Sequence, residues 1–244
     1  MMVRLHFFRH GQCEDNAFLR GRCNSDLSER GLQGGLHNAL KVMSNGDHFQ
    51  EASYILSSPA NRCQQLKNAL QSLYPHLKSL PDAKKIAPYW QERDFGVLDG
   101  LSYPLAQAEF PSDLEAYLES PFEYTPLQAE SFAQFKERMF KAWNLLLQQV
   151  LKEGIEHSNR FTEVVVVTHG GPIRWIFSKV TGAPIEQTFH LQLGYNSIMT
   201  LEVMADQKLD DYGEPIGVIE PFVRLVSLTP GQIENDDTNL SGEL

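Results

Sequence analysis

Apolar residues recur along this chain with two spacings, and the alternation between them outlines an architecture. Val3–Phe8 (VRLHFF) is short, apolar and rich in aromatic and branched residues, which predicts a buried strand. Ser28 then opens a helix to about Ser44, with Glu29 in its first turn and Gly46 just beyond. Ser53–Ser57 (SYILS) reads as a second strand closed by Pro59. A helix follows from about Ala60 to Tyr74, stopping before Pro75 because proline disfavours helix in the residue ahead of it. Lys85–Tyr89 (KIAPY) is a weak strand signal containing Pro88. From about 100 to 130 the pattern is irregular, with Pro104, Pro111, Pro121 and Pro126, and it reads as a covering insertion with short helices. Phe132, Phe135, Met139, Trp143, Leu146 and Val150 are three or four apart, which predicts an amphipathic helix over Ser131–Glu153. Glu163–Thr168 (EVVVVT) has the continuous apolar run of a parallel strand buried on both faces. A further helix runs from Gly170–Pro172 to about Val180, and two later strands cover Ser197–Val203 and Pro221–Ser227.

Strands alternating with helices predict an α/β fold: one three-layer domain over residues 1–228, its mostly parallel sheet flanked by helices on both faces. Residues 229–244 read as a polar, acidic tail. At 244 residues the chain is long enough for a full core. The formal charge of −10 and the lack of any long Lys/Arg run argue against a nucleic-acid or anionic-membrane surface. A site for one phosphate needs only two or three cations and stays open. Cys13, Cys23 and Cys63 are an odd, sparse set without CxxC spacing, unlike a disulfide framework or a zinc site. With no secretory signal or membrane-length apolar stretch legible, the expected location is the cytoplasm. Nothing in the sequence bears on oligomeric state.

In open α/β sheets, ligands gather at the carboxyl ends of the strands. Arg9, His10 and Gly11 follow the first strand, and Ser57, Ser58, Pro59 and then Arg62 follow the second. Glu92 comes after the segment near Ile86; Thr168, His169, Gly170 and Gly171 follow the valine run. Taken singly, each residue has an ordinary reading: a solvated helix arginine, a surface glutamate, a core histidine. Their succession on strand ends carries the argument. Guanidiniums offer forked donors to phosphoryl oxygens. A neutral imidazole is a competent nucleophile toward phosphorus, and a carboxylic acid can protonate a departing alkoxide. No carboxylate or thiolate cluster suits a metal, so charge neutralisation falls to Arg9, Arg62 and His169, and no cofactor is implied. His6, His37, His48, His76, His157 and His190 are read as structural.

These residues resemble the histidine phosphatase superfamily, in the branch with cofactor-dependent phosphoglycerate mutases and fructose-2,6-bisphosphatases. The matches are RHG (9–11) with Asn16, Asp26-Leu27-Ser28 with Gly31, Ser57-Ser58-Pro59 with Arg62 and Gln65, Glu92 with Gly96 and Gly100, Glu130-Ser131, and Thr168-His169-Gly170-Gly171. The resemblance implies a phosphorylated His10, with Arg9, Arg62 and His169 holding the transferring group. It further implies Asn16 and the backbone at Gly21 and Gly170 as added donors, and Glu92 as acid and then base, kept protonated by burial and acidic neighbours. Arg22 is a candidate contact at the rim. Cys13 stands where the family usually has serine or threonine, and a redox switch there is one reading; an inert thiol is the other.

The stretch Asp94–Phe135 holds no Lys, Arg or His but eight acids. Mutases of the family bring a lysine and paired arginines there, and an asparagine where this chain has Gly171. The implied activity is therefore metal-independent hydrolysis of a small phosphomonoester. The alternatives are a phosphoglycerate mutase, a non-catalytic phospho-ligand binder, or a phosphatase acting on protein phosphohistidine or phosphotyrosine. Tyr103, Phe110, Tyr117, Phe122 and Tyr124 add aromatic character to the cover. It would then repel extra negative charge and favour an apolar, aromatic or cationic leaving group, unless the rings form only a local core with the acids facing water.

Overall fold

Alternation buries both faces of the first apolar run: Val3, Leu5 and Phe7 pack into one core and Phe8 into another, none more than 1% exposed. The computed structural model describes residues 1–43, 53–156, 161–209, 215–218 and 220–231. The chain runs β1 (Met2–Arg9), α1 (Glu29–Met43), β2 (Ser53–Ser57), α2 (Asn61–Leu73), β3 (Lys78–Ser79), α3 (Ala83–Ile86), α4 (Tyr103–Glu109), α5 (Pro111–Glu119), α6 (Phe132–Glu156), β4 (Phe161–Thr168), α7 (Gly170–Thr181), β5 (Ile198–Met204), β6 (Gln207–Leu209), β7 (Pro215–Val218) and β8 (Phe222–Thr229).

Six strands form one sheet in the order β3-β2-β4-β1-β5-β8. The first four are mutually parallel; β5 pairs antiparallel with β1 and β8 antiparallel with β5, so within this sheet β5 alone runs against the rest. Val164 and Val166 face the core shared with α6 and α7, and Val165 and Val167 face the core shared with α1 and α2. That is the three-layer α/β sandwich expected. Ser28 caps α1, its Oγ accepting Gly31 N–H at 3.0 Å. All six apolar positions counted on α6 are buried or partly buried against the first core.

The sequence reading needs three corrections here. Lys85–Tyr89 is not a strand: α3 is followed by a 3-10 turn over Ala87–Trp90. Pro88 fits the first turn of that helix, and Ile86 and Trp90 are buried four residues apart, a helical spacing. The short strand β3 and the β6–β7 hairpin also had no expectation behind them. β8 extends to Thr229, so the tail's first residue belongs to a strand. Ser44, Gly46, His48, His157 and residues 232–244 lie outside the described residues. Among the described residues, no helix is long and apolar enough to cross a membrane.

Candidate active site

Register alone brings the two glycine-flanked histidines together. In the parallel pair β1–β4, Arg9 sits opposite Thr168. The next residue of each strand, His10 and His169, therefore leaves the sheet beside the other, with ring centroids 5.2 Å apart. β2 flanks β4 with Ser57 opposite Val167, and the first turn of α2 carries Arg62 to the same edge. The loop after β1 also lies tightly against the start of α1. A Cβ on Gly11 would come within 2.2 Å of the Gly31 carbonyl oxygen, so a side chain there would push the His10 loop off its seat.

His10 is 4% exposed. Its Nδ1 lies 2.8 Å from the Gly11 carbonyl oxygen. A carbonyl only accepts, so the proton is on Nδ1 and Nε2 keeps its lone pair. Arg62 donates Nε–H to that nitrogen at 3.2 Å. Burial, then the charges of Arg62 and Arg9, hold the His10 pKa well below 6.5, and the ring is neutral at neutral pH. His169 is built in the complementary sense. Its Nδ1 faces the Arg62 guanidinium at 3.3 Å and must accept, which leaves Nε2–H to donate to Ser58 Oγ at 2.8 Å. Burial, then Arg62 and His10, lower its pKa too.

Arg62 is 0% exposed. Besides the two imidazoles it reaches only carbonyls: Cys23 at 2.7 Å, Gly21 at 2.8 Å and Arg20 at 3.0 Å. Among the described residues it has no carboxylate within ion-pair distance. A desolvated cation surrounded by dipoles costs several kcal/mol, roughly. A phosphoryl dianion beside it offsets that cost, so the site is electrostatically prepared for an oxyanion.

Glu92 is 9% exposed and reaches the same edge from the 3-10 turn. Thr168 Oγ1–H donates to the Trp90 carbonyl at 2.9 Å, tying that turn to the end of β4. Arg138 on α6 fixes the rest, donating to the carbonyls of Tyr89 and Gln91 at 2.8 Å and Glu92 at 3.1 Å. Its other face grips Glu130 with two bonds of 2.7 Å. The expected acidic neighbours are not what Glu92 touches. Its oxygens accept the backbone N–H groups of Arg93 and Gly171, each at 2.9 Å, at the N-terminus of α7.

Arg9, His10, Glu92 and Gly170 line one cavity of about 120 Å³. Arg62 and His169 lie directly behind His10. Arg20 and Tyr195 also line the cavity, and neither stood out in the sequence. Arg9 stacks 4.5 Å over the Tyr195 ring and donates to the Leu193 carbonyl. Arg20 pairs with Asp15 at 2.7 Å and donates to the Tyr195 hydroxyl at 2.7 Å. Only position could have flagged Arg20, which lies within the loop after the RHG motif.

Three expected donors are placed otherwise. Asn16 is exposed and not part of the cavity wall. Gly21 N–H donates to Asp99 Oδ1 at 3.1 Å, while its carbonyl seats Arg62. Arg22 turns to Gln91 and lies 3.7 Å from Glu130, away from the cavity. The lid acids stay outside as well. Asp113 accepts from Tyr124 and Leu127, and Asp99 caps the 21–23 backbone, so among the described residues Glu92 is the one carboxylate in the wall. Of the cover's rings, Tyr117 and Phe122 reach the cavity, and Tyr103, Phe110 and Tyr124 pack in a local core. Cys13 is buried outside the wall, and burial pushes its thiol up to about 11, the inert form of the two readings.

A family model described as "Histidine phosphatase superfamily (branch 1)" matches residues 5–210. Metal-independent phosphoserine phosphatase of Arabidopsis thaliana is 29% identical over 180 residues, 72% of this chain and 67% of that protein. Fructose-2,6-bisphosphatase of Saccharomyces cerevisiae is 25% identical over 219 residues, which are 90% of this chain but only 42% of its relative. The structure of a mycobacterial glucosyl-3-phosphoglycerate phosphatase aligns with a TM-score of 0.65 at 20% identity, over 95% of this chain and 100% of that one, a likeness of fold.

Proposed function

This chain belongs to the histidine phosphatase superfamily (branch 1), and from that premise we propose that it hydrolyses a small phosphomonoester without a metal, through phosphohistidine on His10. The observation that carries the reading is the tautomer of His10. Its Nδ1–H is committed to Gly11, and the Nε2 lone pair lies beside a buried guanidinium that has no counter-anion among the described residues. In the first step Nε2 attacks phosphorus and the ester P–O bond breaks, while the Glu92 carboxyl gives its proton to the leaving oxygen. Arg62 Nε–H turns from Nε2 to a phosphoryl oxygen, with Arg9 as a further donor, while His169 braces the Arg62 guanidinium from behind through its accepting Nδ1. The positive charge left on the phosphorylated ring is stabilised where Nδ1–H meets the Gly11 carbonyl. In the second step the Glu92 carboxylate takes a proton from water, the water oxygen attacks phosphorus, and inorganic phosphate leaves with neutral His10 restored.

The guanidiniums of Arg9 and Arg62 supply the charge neutralisation that a metal ion provides elsewhere. A relative whose name describes metal-independent phosphoserine hydrolysis supports the same view. The test is turnover of a panel of phosphomonoesters in EDTA, combined with rapid acid-free quenching and mass spectrometry of the His10 peptide. Turnover unaffected by EDTA with a phosphorylated His10 peptide is expected. Turnover restored only by added divalent metal would remove the proposal.

Gly171 has a specific part in this scheme. A Cβ there would stand 2.2 Å from Glu92 Oε1, so any side chain at 171 evicts the carboxyl from its place at the start of α7. Gly171→Ala is expected to lower kcat on alkyl phosphates by roughly 10- to 100-fold, since misplacing a catalytic group by about 1 Å has costs of that size. KM should change little. An alanine enzyme with unchanged kcat would show that Glu92 does not work from the position it holds here.

A further inference from the structure

Aromatic rings line much of the cavity that His10 enters. Phe18, Phe95, Tyr117, Phe122, Phe132 and Phe189 form this wall of rings. Phe122, just beyond α5, packs edge-on against Phe132 of α6 with centroids 4.8 Å apart, and 5.3 Å from Phe189 on the 3-10 turn over Ile185–His190. A second groove adjoins the cavity at the same residues. It shares Pro121, Phe122, Phe132 and Ile185 with the cavity, and its own walls carry Glu119, Glu123, Lys136 and Glu186. The Phe122 cluster is thus common to the walls of the cavity that His10 lines and of the charged groove beside it.

The cations beside these rings are committed to building the wall. Arg93 is 5% exposed and donates to the carbonyls of Glu130, Pro121 and Tyr124, with its guanidinium 5.7 Å from the Tyr117 ring centroid. Arg174 donates to the carbonyls of Thr188 and Leu191 and lies 4.8 Å over Phe189. The Arg93 bonds hold the 121–130 segment between α5 and α6, and the Arg174 bonds hold the 185–190 turn to α7, so both sides of the ring wall are tied down.

Resting on the reading of His10 as the phosphoryl acceptor, we propose that the alcohol half of the substrate is a compact aromatic or apolar group seated on this wall, with Phe122 as the specificity-determining residue that limits its length. A ring entering the cavity exchanges water for aromatic edges and faces. Arg62 can meet a phosphoryl group by giving up only the His10 ring nitrogen, whereas a sugar bisphosphate's second dianion would have to displace wall-forming carbonyls from Arg93 or Arg174 or lie against the rings. Phe122, whose ring belongs to the walls of both cavity and groove, would then stop an alcohol longer than one ring.

The experiment compares kcat/KM for benzyl phosphate, 4-phenylbenzyl phosphate, phosphoserine and fructose 1,6-bisphosphate, all of which lose poorly acidic alcohols. For the wild type, benzyl phosphate should exceed phosphoserine and the bisphosphate by about 10-fold or more, the scale of a filled apolar pocket. In Phe122→Ala the ratio of 4-phenylbenzyl to benzyl phosphate should rise at least about 10-fold. Phe189→Ala, which removes the ring packed against Phe122, should move the ratio the same way. Phosphoserine or the bisphosphate matching benzyl phosphate, or ratios unmoved in both variants, would overturn the inference. The two failures are separable with His10→Ala: turnover surviving there defeats the phosphohistidine reading, while turnover that needs His10 but ignores the ring defeats only the specificity.

Discussion

Alanine at position 10 should lower kcat/KM toward every phosphomonoester by at least about 10⁴-fold, with no metal able to restore it. The size follows from removing the nucleophile rather than a helper, since single losses of that kind have costs of this order or larger. The fold should survive. His10 contributes one bond to Gly11 and one acceptor to Arg62, and the cavity beside it can admit a water to serve the exposed Arg62 Nε–H. The wild-type pH profile carries an independent check. Burial, Arg62 and Arg9 lower the His10 pKa, so the ring stays unprotonated at 6.5 and for some distance below. A lowered histidine pKa means the active form is lost only as pH falls through that lower value. The acid limb of kcat/KM, which reports the free enzyme, should therefore lie below 6.5 once the ester's own ionisation is divided out. A limb centred at or above 6.5, or an alanine enzyme within 100-fold of the wild type, would defeat the assignment of His10.

Much of this site was legible because it is written in strand ends. A parallel sheet aligns the carboxyl ends of its neighbours, so RHG after β1, SSP with Arg62 after β2 and THGG after β4 had to meet once those three strands were recognised. Glu92 was found for an imperfect reason. The segment before it is helical, and what brings the carboxyl to the edge is Thr168 holding the Trp90 carbonyl and Arg138 holding the next turns. Those are long-range contacts without a local periodicity. β3 has only two residues and no pattern to read. Gly21 is placed otherwise for a related reason, because a backbone N–H carries no sequence signal for its direction. Gly21 faces Asp99 from 78 residues away. The acids of the cover illustrate the same limit. Composition makes that stretch anionic, yet burial sorts its rings inward and its carboxylates onto backbone donors or the surface, so the cavity that His10 lines is aromatic.

Glutamine at position 92 separates the acid role from the positioning role. If Glu92 delivers the proton, an ester with a poorly acidic alcohol should lose about 10²- to 10⁴-fold in kcat, the usual worth of a placed general acid. p-Nitrophenyl phosphate, whose leaving group departs without a proton, should lose less than about 10-fold in its first step. The structure adds a cost common to both substrates. Glu92 accepts from Arg93 N–H and Gly171 N–H, one on each oxygen, and an amide has only one accepting atom. One backbone donor must then face an NH₂ group, an unsatisfied contact of about 1–3 kcal/mol that should appear as a lower Tm. That penalty falls equally on alkyl and aryl esters, so the difference between the two classes, rather than either rate alone, measures proton delivery. Equal losses for both would mean that Glu92 only holds the turn between Trp90 and α7, and the proton would then have to come from elsewhere in the cavity.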